Sequence, residues 1–188
     1  MTLSPQSADA DRRLVVRIVS DNDTAAFGEL VSRHQSQVRN FLRRLTRDPD
    51  LAEDLAQDTF VHAWDRLHGY TGKGSVIGWL LKVAYTTFLQ SKRRSRRYGE
   101  ILDQIGADGM AGGRLAATDC DEISDLDRFL AVLGEEERAV MILSYACGLS
   151  HREIADATSQ PVGTIKSIIF RGKEKIRQNF DIDRYQHG

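Results

Sequence analysis

Residues 150–178 have the sequence SHREIADATSQPVGTIKSIIFRGKEKIRQ. The first four residues match a capping box, in which Ser150 and Glu153 satisfy free backbone N–H groups at the start of a helix. Pro161 forces a turn after this short helix, and apolar residues then recur at helical spacing through a longer one. A short helix, a tight turn and a longer helix together predict a helix-turn-helix unit.

The second helix of this unit, from about residue 162 to 178, carries hydrogen-bond donors on the face opposite its apolar residues. Such donors suit base edges near the start of a recognition helix and phosphates elsewhere. The alternative is an ordinary antiparallel helix pair with a solvated charged face. The side chains on the polar face are Thr164, Lys166, Ser167, Arg171, Lys173, Lys175 and Arg177.

Apolar residues at helical spacing predict four more helices in an N-terminal domain, residues 10–97. These four patterns begin near Leu14, Phe27, Leu51 and Ile77. A C-terminal domain, residues 126–188, contains a further apolar pattern followed by the helix pair. No strand-like alternation persists, so the sequence predicts an all-α fold of two small helical domains.

The segment 98–125 separates the two predicted domains. Its clustered glycines and its excess of acidic over basic residues predict a flexible linker. We therefore expect the two domains to move independently in the free protein until a partner contacts both of them.

The composition excludes several classes of protein. The chain has 188 residues, of which 41% are hydrophobic and 28% charged, and no apolar run approaches the roughly 18 residues of a membrane-spanning helix. Its beginning lacks the features of a secretory signal, and Cys120 and Cys147 form no paired motif. These features predict a cytoplasmic protein that does not bind membranes directly.

The formal net charge of -1 hides an uneven distribution. Residues 11–97 contain 16 Lys and Arg against 10 Asp and Glu, residues 98–127 contain 1 against 8, and residues 128–188 contain 9 against 8. The N-terminal domain is therefore basic and the linker acidic, so the net charge does not argue against nucleic-acid binding.

The most basic stretch is KRRSRR at residues 92–97, where the predicted fourth helix ends. It is called the basic run below. Tyr70, Trp79 and Tyr85 precede it, and aromatic side chains beside a basic surface suit stacking on unpaired bases together with phosphate contacts. The alternatives are a solvated helix end favoured by the helix dipole, and aromatic side chains that belong to the core.

The predicted third helix carries an acidic stripe, Asp50, Asp54 and Asp58, at four-residue spacing. Like charges at this spacing destabilise an isolated helix by roughly a few tenths of a kcal/mol per pair. Docking on a basic partner explains the stripe, whereas the helix dipole explains only its first turn. A divalent-metal site lacks the expected spacing and histidine ligands. With no nucleophile, phosphate loop or cysteine pair, the sequence predicts a non-enzyme without cofactor or metal.

Two segments resemble the patterns of one protein family. These are LAEDLAQDTFVHAW at residues 51–64 and LGEEERAVMILSYACGLSHREIADATSQPVGTIKS at residues 133–167. Both are similar to the extracytoplasmic-function sigma factors, in that family's order and separation. The resemblance implies a factor that binds core RNA polymerase and starts transcription at particular promoters. Within the family the chain resembles sigma factors of bacterial cobalt–nickel resistance systems, which implies a stress or metal-response regulon.

The resemblance also implies roles for individual residues. Asp54, Gln57 and Asp58 match the segment that docks on the clamp helices of the largest polymerase subunit, and the C-terminal domain is expected at the flap region. The expected contacts to the downstream promoter element, including capture of a flipped-out base and melting, are Tyr70, Thr71, Lys73, Ser75, Trp79, Tyr85, Lys92, Arg93 and Arg94. The expected contacts to the upstream element are Pro161, Val162, Gly163, Thr164, Lys166, Ser167 and Arg171.

The chain departs from the family pattern in its last predicted helix. Ile168 stands where arginine is usual, Phe170 where histidine or arginine is common, and Gly172 where alanine is common. The resemblance implies restraint by an anti-sigma factor, often membrane-anchored, and the two apolar side chains are candidates for contacting it. The alternative from another class is a stand-alone helix-turn-helix regulator that does not engage polymerase, which leaves the acidic stripe unexplained.

Overall fold

The computed structural model describes residues 5–104 and 125–180, in which all regular secondary structure is helical. The N-terminal domain consists of α1 (Pro5–Asp21), α2 (Thr24–Thr46), α3 (Pro49–Arg66), a 3-10 turn (Leu67–Gly69) and α4 (Val76–Gln104). The C-terminal domain consists of α5 (Asp125–Ala131), α6 (Glu135–Met141), a π-helical turn (Ile142–Ala146), α7 (His151–Thr158) and α8 (Val162–Phe180). The predicted all-α fold is confirmed.

Local sequence signals account for the starts of several helices. Asp23 and Asp48 each accept a hydrogen bond from the backbone N–H three residues further on, at the starts of α2 and α3. The capping box of α7 is present: the Ser150 hydroxyl accepts from the Glu153 N–H, and the Glu153 carboxylate accepts from the Ser150 N–H. These bonds satisfy N–H groups that have no partner within the first turn of a helix.

Helix α4 extends beyond its predicted end. The sequence predicts a helix that ends in the basic run, whereas α4 continues to Gln104. Residues 98–104 contain no proline, and Gly99 within a helix costs only about 1 kcal/mol relative to alanine. The basic run is therefore not at a helix end, and a favourable helix dipole does not account for it. Residues 105–124 of the predicted linker lie outside the described residues.

The buried side chains form one apolar core that continues through both domains. At its centre in the N-terminal domain are Leu30, Phe41, Leu42, Leu80 and Leu81. The C-terminal domain contributes Ile142, Leu143, Ile154 and Ile165. Burial of each such side chain stabilises the fold by roughly 1.5–3 kcal/mol. Within the described part of the chain, no helix combines the length and apolarity needed to span a bilayer.

The two domains lie against each other, chiefly through α4 and α7. The Arg47 guanidinium donates to the backbone carbonyl of Leu130 at 3.2 Å. Arg44 and Asp127 form a second link, an ion pair at 3.4 Å. This packing brings the start of α4 next to the helix-turn-helix unit, which places two predicted promoter-binding regions in contact.

Candidate functional site

The acidic stripe and its neighbours lie on the exposed face of α3. Asp54, Gln57 and Asp58 are all exposed, whereas the opposite face of the helix is buried. Glu53 forms an ion pair with Arg39 of α2 at 2.6 Å, so its carboxylate is already paired within the N-terminal domain. Within the described residues no group of three or more His, Cys, Asp or Glu could hold a metal ion. The predicted docking residues therefore share one solvent-facing surface.

The glycine-rich loop before α4 has a defined conformation. The Tyr70 hydroxyl donates to the Gly74 carbonyl at 3.1 Å, and the Tyr70 and Trp79 rings lie with their centroids 5.7 Å apart. Gly72 and Gly74 have φ values of 73° and 79°, a left-handed conformation that side chains disfavour. Burial raises the pKa of Tyr70, so its hydroxyl stays protonated at neutral pH. The exposed side chains of the loop include Thr71 and Lys73.

Tyr85 cannot stack on a base in this structure. Its side chain is 7% exposed, and its ring stacks on Phe88 with centroids 6.4 Å apart. The same burial raises the pKa of Tyr85. The alternative that the sequence left open, a core side chain, describes Tyr85 in this structure, because its position on α4 faces the core. Trp79 is only partly buried and remains at the edge of the loop.

The basic run is exposed along the second half of α4, and two of its charges are already paired. Arg96 pairs with Glu100 of the same helix at 3.4 Å. Arg93 and Arg94 are exposed. Lys92 forms an ion pair with Glu135 of the C-terminal domain at 2.7 Å, and its ammonium lies 6.0 Å from the centre of the Phe88 ring. A predicted DNA-contacting lysine is therefore occupied by a carboxylate of the same chain.

Glu153 joins the two domains as well as capping α7. One carboxylate oxygen accepts from the Ser75 hydroxyl at 2.5 Å and from the Ser75 N–H at 3.3 Å, and the other oxygen bonds Ser150. Burial acts to raise the pKa of Glu153, but these hydrogen bonds outweigh it and lower the pKa. Lys82 and Asp156 add an ion pair at 3.2 Å. Ser75 and Glu153 are 78 positions apart, so no local pattern signals their contact.

Helix α8 presents its predicted upstream-element residues to solvent. Lys175 pairs with Glu137 of α6 at 2.7 Å, and this hydrogen bond lowers the pKa of Glu137. The ion pair and the buried isoleucines hold α8 in place, which turns its polar face outward. The exposed candidates are Pro161, Val162, Gly163, Thr164, Lys166, Ser167 and Arg171.

The three departures from the family pattern have different surroundings. Ile168 is 2% exposed, because it shares the core face of α8 with Ile165, so in this structure its side chain packs in the core and is not open to a partner. Phe170 is 66% exposed. At Gly172 an added Cβ would lie 3.2 Å from the Met141 sulfur, so a larger residue there would require the Met141 side chain to shift by a few tenths of an ångström.

The two domains correspond to two family models. Residues 30–98 match Sigma-70 region 2, and residues 123–176 match Sigma-70 region 4. An ECF RNA polymerase sigma-E factor of Haemophilus influenzae is 31% identical over 177 residues, which are 88% of this chain and 93% of that protein. The chain belongs to the extracytoplasmic-function sigma factors. As a sigma factor it binds core RNA polymerase and promoter DNA, and its region 2 disfavours the alternative of a stand-alone regulator.

Other relatives agree with this assignment. The ECF RNA polymerase sigma factor RpoE of Cereibacter sphaeroides is 29% identical, over 94% of this chain and 99% of that protein. The sigma factor RpoE of Bartonella quintana, solved in complex with the anti-sigma factor NepR, has a TM-score of 0.66 at 25% identity, over 84% of this chain and 98% of that chain. CnrH, solved with the cytosolic domain of CnrY, has the same fold, with a TM-score of 0.67 at 24% identity over 93% and 99% of the two chains.

Proposed function

We propose that this sigma factor works through three surfaces. Asp54, Gln57 and Asp58 dock on the clamp helices of the largest polymerase subunit. The loop at residues 70–75, with Trp79 behind it, captures a flipped-out base of the downstream promoter element, and α8 enters the major groove at the upstream element. The observation that carries the proposal is the exposure of the α3 docking residues, of residues 71–74 in the loop and of the polar face of α8, on two domains that match regions 2 and 4.

Each surface has the chemistry that its proposed partner requires. A row of carboxylates complements a basic helical surface. The Tyr70 and Trp79 rings offer a partly exposed aromatic pair, and stacking holds a base that has left the duplex. Helix α8 offers hydroxyl and cationic donors near its start, where a recognition helix meets base edges.

We also propose that an anti-sigma factor, membrane-anchored as in many members of the family, restrains this sigma factor in the cytoplasm. Support comes from the B. quintana relative, which was solved with its anti-sigma factor. The C-terminal domain is proposed to contact the polymerase flap region. A stress or metal-response regulon is proposed from the resemblance, and run-off transcription with core polymerase on genomic fragments will identify its promoters.

We propose that the basic run contacts promoter phosphates, so it should respond to substitution differently from α8, which reads bases. Lys92→Ala with Arg93→Ala removes two phosphate contacts, so the slope of log affinity against log salt should fall by about 1.5 and promoter opening should weaken without a change of sequence preference. Arg171→Ala should lower affinity for the upstream element by about 1–3 kcal/mol. Footprinting and salt titration of the holoenzyme measure both effects.

A matched control for the basic run is Arg13→Ala with Arg17→Ala, which removes two exposed arginines from α1. This control should leave the salt slope unchanged. If the Lys92/Arg93 variant also keeps its affinity and slope, the basic run is a solvated helix face and has no role at the promoter.

A further inference from the structure

Helix α8 carries an exposed phenyl ring that packing does not explain. Its inner face is buried at Ile165, Ile168, Ile169 and Gly172. Phe170 lies on the outer face and, at 66% exposure, is the most exposed large apolar side chain among the described residues. A ring of this size in water is stabilised when a partner covers it.

The surroundings of Phe170 favour DNA over an apolar protein groove. Lys166 and Ser167 lie one turn before it, Arg171 is adjacent, and all three are exposed. A protein groove that covered the ring would have to remove water from the charged groups of Lys166 and Arg171, whereas DNA phosphates would pair with them. The apolar group that a major groove offers is the C5 methyl of thymine, and phenylalanine is among the side chains that contact it.

We propose that Phe170 recognises a thymine methyl group in the upstream promoter element. This inference rests on the proposed function of α8. Deoxyuridine differs from thymidine only by that methyl, so replacing one thymine should weaken holoenzyme binding about fourfold, the value of one buried methyl-sized group. All hydrogen-bonding groups of the base pair stay the same.

The test uses holoenzyme reconstituted with core polymerase and promoters selected from duplexes with a randomised upstream element. Each thymine of the selected element is replaced singly by deoxyuridine, and affinities are measured for wild type and Phe170→Ala. We expect one position at which wild type loses about fourfold and Phe170→Ala loses nothing further. Arg171→Ala is the comparison, since it should bind more weakly yet keep the sensitivity to deoxyuridine.

Two outcomes overturn the inference and remain distinguishable from failure of the proposed function. A wild-type holoenzyme that selects an upstream element but ignores every deoxyuridine shows that Phe170 contacts no methyl. A Phe170→Ala holoenzyme with unchanged promoter affinity shows that the ring does not contact DNA and indicates that a protein partner covers it. If wild type selects no upstream element at all, the proposed function of α8 itself is wrong.

Discussion

Replacement of both Asp54 and Asp58 by arginine is expected to abolish binding to core RNA polymerase while the melting temperature stays unchanged. Both side chains are exposed on α3, and substitutions at such positions usually alter stability by no more than about 0.5 kcal/mol. At an interface the same change sets arginine against a basic partner, at a cost of several kcal/mol where the contact is desolvated. Co-purification with core polymerase and a thermal melting curve measure the two effects separately.

The control keeps the charge change and moves its position. Asp9→Arg with Asp21→Arg alters two exposed carboxylates of α1, and this variant should still form holoenzyme. DNA contacts of the C-terminal domain should survive in both variants, because α8 is not altered. A folded Asp54/Asp58 variant that forms holoenzyme with wild-type affinity would show that the acidic stripe is not the docking surface.

The second large effect is expected from Ile168→Arg, which introduces the residue that the family pattern favours at this position. Ile168 is 2% exposed in the core of the C-terminal domain. An arginine there would leave an unpaired charge among apolar side chains, and we expect a loss of about 3–5 kcal/mol in the free energy of unfolding. Urea denaturation followed by circular dichroism measures the loss.

Phe170→Arg is the matched control, two residues away on the exposed face of α8. It should change the free energy of unfolding by no more than about 0.5 kcal/mol. Equal stability of the two arginine variants would contradict the observed orientation of α8. A destabilised Phe170→Arg with a stable Ile168→Arg would indicate a helix rotated by about half a turn.

The helices were predictable because their signals are local. Apolar spacing, the caps at Asp23 and Asp48, and the capping box at Ser150 each act within a few residues. The end of α4 was predicted too early, because the apolar periodicity fades after the basic run. A helix segment that lies in solvent needs no apolar face, and the ion pair of Arg96 with Glu100, one turn apart, supports its continuation.

The exposed candidate residues were predictable for a related reason. Polar side chains such as Asp54, Asp58 and Arg171 lie opposite an apolar face, so periodicity alone places them in solvent. Periodicity alone did not show whether a given apolar side chain is buried or exposed. Tyr85, Ile168 and Phe170 all suit either a core or an interface, and only the neighbours that pack against each helix decide which face is covered.

The amino-acid sequence by itself determined the helices, their order in two domains and the polar faces of α3 and α8, because these depend on residues a few positions apart. The tertiary structure decided the burial of Ile168, the exposure of Phe170 and the bonds from Glu153 to Ser75. Those features depend on how one helix docks on another. A hydrogen bond across 78 positions exists only when both domains are folded and in contact, which no local pattern of residues records.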